Sequence, residues 1–271
     1  MTEGIQQNHS SQLSVPDFLY QMDVSGFALF EQLVPEEILK KMRTDIPQHE
    51  EVCLKWQKKN GLDTGMAGAA HHVVGGRDSL DWFLYEFYLD EYIHAYFDGE
   101  YILNSYGVLN NLPYSHNTYQ HAQRFHRDVR TYSENFHLMI NMLVMVDDFT
   151  IENGATKVVP GTHRVQQRPS DAFLESSAVR TTGKAGSVLL FDSNLWHSAA
   201  RNTTQRPRMA LTLTFTRPFF KQQMDYPRVL GEDYPRNEKM RQLLGYNARV
   251  PNGYDEWYQT PEKRMYKPGQ G

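Results

Sequence analysis

Three side chains with metal-binding chemistry stand in the second half of the chain: His126 and Asp128 in FHRDVR, and His197 in FDSNLWHSAARN. A His-x-Asp triplet carries little information alone, and among 11 histidines a chance match is expected. Its weight comes from the geometry it permits. In extended chain, residues i and i+2 point to the same side, so His126 and Asp128 can aim an imidazole nitrogen and a carboxylate oxygen at one point while Arg127 faces away. His197 offers a third ligand just beyond the apolar run GSVLLFD. Two neutral imidazoles and one carboxylate on one face of a metal leave three positions open, the arrangement of mononuclear non-haem Fe(II) oxygenases. Zinc accepts the same donors but favours a closed tetrahedron or a single open position.

Arg208 follows His197 at the head of RMALTLTFT. As a strand, this run sets Arg208, Ala210, Thr212 and Thr214 on one face and Met209, Leu211, Leu213 and Phe215 on the other. The second face belongs in a core. The first suits the lining of a cavity with a cation at one end, where a guanidinium can grip a carboxylate bidentately. Arg208 taken alone is equally a surface arginine at a strand start. Arg206 competes for the role, but Pro207 separates it from the strand. The other histidines read mainly as structural: His71 and His72 diverge, His137 sits in an apolar strand and His163 follows a turn. His116 and His121 lie in the loop ahead of the triplet, within reach of a substrate. Cys53, the single cysteine, excludes an internal disulfide and a cysteine zinc cluster, and its amphipathic setting EEVCLKW favours packing.

The elements that must position these groups change character at about residue 100. Residues 1 to 14 read as a flexible tail. VPEEILKKMRTDI is an amphipathic helix with Pro35 placed for its first turn, and SLDWFLYEFYLDEYIHAYF is a second helical stretch beyond the glycine-dotted loop TGMAGAAHHVVGG. From there the chain offers short β-like runs, YILNSYGVL, FHLMINMLVMV, ATKVVP, GSVLLFD and RMALTLTFT, separated by turn signals. Strands without crossover helices between them predict a mainly β domain with flanking helices, a jelly roll with the N-terminal helices packed on one sheet. Residues 221 to 271 read as a wrapping extension with no core of its own.

In order, HRD, ENGATKVVPGTHR, GSVLLFDSNLWHSAARN and the arginine strand resemble the Fe(II)- and 2-oxoglutarate-dependent phytanoyl-CoA dioxygenase family over about residues 15 to 220. The resemblance implies a single domain with a double-stranded β-helix core, cupin-like in architecture. It also implies Fe(II) on His126, Asp128 and His197, with 2-oxoglutarate as cosubstrate, its distal carboxylate on Arg208. Thr212 or Asn141 is placed to help Arg208. Oxygen would then be consumed as 2-oxoglutarate decarboxylates to succinate and a C–H bond of the substrate is hydroxylated. Asp128 is retained where related halogenases have lost this carboxylate, which disfavours halogenation. Position alone nominates Asn104, Tyr106, His116, Tyr119, His121, Gln123, Trp196 and Arg201 as substrate contacts. Their polarity favours a polar or anionic small molecule over a bare hydrocarbon.

Net charge bounds the partners. A formal charge of -4 with no basic stripe argues against a nucleic-acid polymer. The longest apolar run, Leu138 to Val146, is far too short for a membrane span. With no apolar leader in MTEGIQQNHSSQLS, the expectation is a cytoplasmic protein, and no feature specifies an oligomeric state. Three other functions compete. One is a metal-dependent hydrolase on the same ligands with His121 or Glu134 as base. Another is a non-oxidative jelly-roll binding protein, since a jelly roll does not fix function. The third is an interaction module built on the aromatic helices. Arg208 and the motif order favour the dioxygenase.

Overall fold

The computed structural model describes residues 13–63, 66–86, 89–114, 123–260 and 262–263. Ser14 opens α1 (Val15–Ser25) by accepting the N–H of Asp17, and Gly26 ends it in the left-handed conformation with its N–H on Met22 O. β1 (Phe27–Phe30) follows directly. α2 (Glu36–Lys59) carries acids in its first turn and lysines in its last, the order its dipole favours, and runs on through Pro47. β2 (Ala69–His71) emerges from the stretch expected to be loop. The long aromatic stretch divides into α3 (Ser79–Glu86) and α4 (Asp90–Phe97). Beyond it come β3 (Ile102–Asn111), β4 (Met139–Met145), β5 (Lys157–Val158), α5 (Asp171–Ser177), β6 (Val179–Arg180), β7 (Val188–Asp192), β8 (His197–Ser198) and β9 (Arg208–Thr216). The short helices α6 (Tyr226–Leu230), α7 (Glu238–Leu243) and α8 (Tyr254–Trp257) complete the described chain, and no helix in it is long and apolar enough to cross a membrane.

Six strands form one antiparallel sheet in the order β1-β7-β4-β9-β3-β2, and three form a smaller one, β6-β5-β8. Alternation along the strands gives the large sheet two distinct faces. One carries Ala28, Phe30, Ile140, Met142, Val144, Leu211, Leu213 and Phe215 into a core shared with α1 to α4. The opposite face carries Leu143, Met145, Leu189, Phe191 and Ala210, which pack with Ala155 and Val158 of the small sheet and its approach. This is a double-stranded β-helix: two facing antiparallel sheets enclose a site, and helices back the larger one. The tail segment after β9 adds Tyr226, Tyr234, Met240, Leu243, Leu244 and Tyr246 to the helix-side core.

One helix end connects directly to the enclosed space. Gly26 has φ +80°, and its carbonyl accepts the N–H of Asp192 at the end of β7 at 2.8 Å. A β-carbon there would lie 2.5 Å from His163 Nδ1 and 2.9 Å from Leu195 Cδ1. Gly26→Ala is therefore expected to cost about 1–3 kcal/mol through backbone strain and collision. A lowered urea midpoint at unchanged slope is the predicted result, and an unchanged midpoint contradicts it.

Candidate metal centre

His126, Asp128 and His197 converge, with their ligand atoms all within 4.8 Å of one another, the one such group among the described residues. His126 Nε2 lies 3.5 Å from Asp128 Oδ1, and His197 Nε2 lies 3.6 Å from Asp128 Oδ2. Reciprocal main-chain bonds hold the two histidines side by side: His126 N–H to His197 O at 3.0 Å and His197 N–H to His126 O at 3.1 Å. Each ring also rests on a carbonyl of its own segment. His126 Nδ1 meets Arg124 O at 2.8 Å, and His197 Nδ1 meets Leu195 O at 2.9 Å. A carbonyl only accepts, so both Nδ1 atoms carry a proton, and both Nε2 atoms are turned toward Asp128. Burial pushes the His197 imidazole below its ordinary pKa, although Asp128 pulls the other way. Two imidazole nitrogens and a carboxylate thus converge, a donor set that suits a divalent cation. His197 is buried, whereas the His126 and Asp128 side chains are over a third exposed, so the centre opens on their side.

Arg208 supplies the second half of the site. It is only 2% exposed, its Nε and Nη1 are buried without a hydrogen-bond partner, and it makes no ion pair among the described residues. Burial pushes the guanidinium down to about 10, against the pull of Asp147, so it remains charged near neutrality. Asp147 itself is engaged elsewhere, accepting from Arg43 at 3.2 Å and from Met209 N–H at 2.8 Å. The Phe149 ring offers partial compensation, its centroid 3.6 Å from Arg208 Cζ. Between arginine and triad lies the apolar cluster of the inner face. Phe149 touches Arg208 at one end, and Phe191 sits 4.8 Å from the His197 ring at the other. A carboxylate with a short apolar spacer fits that arrangement, and 2-oxoglutarate has both.

Several residues fall elsewhere than expected. Asn141 shares the inner face with Arg208 but pairs with Thr214, six positions along β9, about 20 Å at about 3.4 Å per residue. It therefore does not share Arg208's carboxylate. Its amide, buried and unpartnered, lies beside Phe191 and so toward the metal. Thr212 lies on the inner face between them. Tyr106 is not at the mouth: it is fully buried on the helix side of β3, its hydroxyl donating to Leu80 O at 3.2 Å. A bulge between Leu103 and Ser105 makes Asn104 the extra residue, and its amide turns to Lys221 O at 3.1 Å instead of toward substrate. Trp196 alternates with His197 and points away from the metal, its ring flanked by Arg127 at 5.0 Å and Arg168 at 5.2 Å. Arg201 stacks on Tyr114 at 4.5 Å and lines a surface cleft with Gln123, Arg124, Lys157 and Arg180. His116, Tyr119 and His121 lie outside the described residues. Cys53 is half-buried, and burial pushes its thiol up, away from nucleophilic use. Phe149, Phe191 and the carbonyls of Arg124 and Leu195 had no distinguishing sequence signal beyond lying near the motifs.

Comparison with known proteins gives a consistent outcome. The family model described as Phytanoyl-CoA dioxygenase (PhyH) matches residues 22–210. An uncharacterized protein of Mycobacterium tuberculosis is 44% identical over 149 residues, 54% of this chain and 55% of that protein. Dioxygenase cdmA of Talaromyces verruculosus is 32% identical over 166 residues, 56% of this chain and 53% of that protein. The chain thus spans about half the length of these curated relatives. Among solved structures, AviO1 from Streptomyces viridochromogenes Tue57 is similar with a TM-score of 0.55 at 18% identity, covering 78% of this chain and 99% of that one. SnoN, a non-heme alpha ketoglutarate dependent epimerase from nogalamycin biosynthesis, gives 0.57 at 13%, covering 74% and 82%. At such identities the structural likeness is one of fold.

A buried charge without a partner carries a cost that an isosteric apolar side chain avoids. Arg208→Met is expected to raise the stability of the ligand-free protein by about 1–3 kcal/mol. Urea unfolding without added carboxylates checks this, and a loss of stability would show that Arg208 is satisfied within the fold.

Proposed function

This chain belongs to the phytanoyl-CoA dioxygenase family, and on that premise we propose that it is an Fe(II)- and 2-oxoglutarate-dependent dioxygenase that hydroxylates an unactivated C–H bond of a small polar metabolite or natural-product intermediate. The observation that carries this reading is Arg208, a buried and unpaired cation joined to the triad by an apolar lining. A hydrolase or a binding barrel on the same metal ligands has no use for that charge.

In this account His126, Asp128 and His197 hold Fe(II) through two Nε2 atoms and one carboxylate. Iron and 2-oxoglutarate, when bound, supply an oxygen-dependent oxidation in which the keto acid leaves as succinate and carbon dioxide. The chain's own residues orient and shield. Arg208, buried and with Nε and Nη1 unpartnered among the described residues, would hold the distal carboxylate through a charge-assisted contact. Leu143, Val158 and Leu189 belong to the buried apolar cluster that would line the spacer and exclude water. The carbonyls of Arg124 and Leu195 accept from Nδ1 of each imidazole and so orient both rings with Nε2 toward the site. Asn141, with the Ser105–Thr214 hydroxyl pair at 2.7 Å in the same register, provides hydrogen bonding toward the metal end. The substrate approaches on the exposed side of His126 and Asp128. The cleft shared by Gln123 and Arg201 is lined by charges of both signs, Arg124, Arg180 and Arg201 with Glu152 and the Lys157–Glu175 pair, which supports a polar small molecule rather than a hydrocarbon.

Succinate formation from 2-oxoglutarate tests the proposal before any substrate is known. Slow succinate release requiring both Fe(II) and oxygen is expected of the unaltered chain, with His197→Ala reducing it at least about 100-fold, the scale of losing one metal ligand's charge-stabilising geometry. Succinate release that survives metal chelation, or none under any loading, contradicts it.

A further inference from the structure

Resting on the metal-site reading above, we infer that Asn194, held by Asp192, is the positioning residue that sets the distance between the two arms of the metal centre. The turn from Asp192 to Leu195 touches both arms. Leu195 O takes the Nδ1 proton of His197 at 2.9 Å, which orients one ligand. Ser193 O accepts the N–H of Asp128 at 3.1 Å, which places another. Between them, Asn194 spends its side chain on the chain that continues from Asp128. Its Nδ2 donates to Val129 O at 2.8 Å and Thr131 O at 3.1 Å, and its Oδ1 accepts from Ser133 N–H at 3.3 Å. Both amide protons and the carbonyl oxygen are used, and none points at a ligand atom.

The grip is itself anchored. Asp192 Oδ1 accepts the N–H of Asn194 at 2.6 Å, and Asp192 O accepts that of Leu195 at 2.9 Å, so the carboxylate shapes the turn. Its other oxygen receives the Tyr96 hydroxyl at 2.6 Å, which ties the turn to α4 in the helical layer. Asn194 is 4% exposed and Asp192 8%, and in such surroundings each of these bonds is costly to leave unmade. His126 and Asp128 lie outside the named strands, with only the bridge to His197 and this turn joining them to β8 and its approach. Arg127, between the two ligands, donates to Thr162 O at 2.6 Å and Gln166 O at 3.3 Å, so losing Asn194 leaves the fold in place and releases the side of the arm that continues from Asp128 to Ser133.

Calorimetric titration of Co(II) into the metal-free full chain tests the inference independently of turnover. Asn194→Ala is expected to weaken Co(II) binding about 10-fold or more, the scale for groups that orient ligands without touching metal. At saturating Co(II) its visible d–d bands should also shift, which a general loss of stability does not produce. Tyr132→Phe removes an exposed bond from the same segment to Arg164 O and should leave affinity and bands unchanged. If Asn194→Ala does not fold, Asn194→Ser serves, because one hydroxyl cannot serve both carbonyls. Unchanged affinity and bands in the Asn194 variant, or an equal loss in Tyr132→Phe, overturns the positioning role. An unaltered chain that binds no Co(II) instead overturns the metal site, and this inference falls with it.

Discussion

The reciprocal main-chain bonds between His126 and His197 join two segments far apart in sequence, and the candidate metal centre depends on that one antiparallel bridge. Directly paired residues point to the same side of a ladder, so both rings enter the space between the sheets together. Asp128 follows two positions on and turns the same way. The large sheet then acts as a floor. Its inner face presents Phe191 under His197 and, further along, Arg208 over Phe149. The N-terminal helices stand behind this floor, and Tyr96 of α4 reaches through to Asp192. They cover the outer face of the floor and allow a strongly apolar sheet to exist in water.

Arg208 and the facing acceptors of the triad are features that the fold carries at a cost. A protein selected for stability alone would not bury a guanidinium with two nitrogens unpartnered among the described residues, nor gather two imidazoles and a carboxylate about one point. Such conflicts between local rules and the global fold concentrate at functional sites. On the proposed reading, both would be relieved by the same pair of guests, a divalent cation and a small dicarboxylate. The motif segments around them serve mainly as supports. Thr162 of GTHR accepts the N–H of Trp196 at 3.1 Å, and Asn153 of ENG closes its turn on Thr150 N–H and Asp148 O.

Legibility in the sequence followed the physics of alternation. RMALTLTFT could be read to the residue, because one face is all core and the other nearly all small or polar apart from Arg208, and β9 spans that run. His126 and Asp128 are readable for the same reason, and His197 from its place just beyond the apolar run GSVLLFD. Tyr106 misled because a single bulge at Asn104 breaks the alternation, and nothing in YILNSYG announces it. β1 and β2 escaped notice because four and three residues are too few to establish a period, and their pairing with β7 and β3 decides their state. Trp196 was nominated by nearness to His197, although adjacent strand residues face opposite ways. The Asp192–Asn194 turn was invisible for another reason: its partners are backbone carbonyls, which have no sequence signature.

Anaerobic titration of 2-oxoglutarate into the Fe(II)-loaded chain, beside Arg208→Met, addresses the central claim most directly. A weak visible charge-transfer band of a chelated keto acid should grow in both, with the variant needing about 30-fold or more 2-oxoglutarate, the scale of a charge-assisted bidentate contact. Fe(II) binding without any band, or equal 2-oxoglutarate demand in the two proteins, would contradict the account.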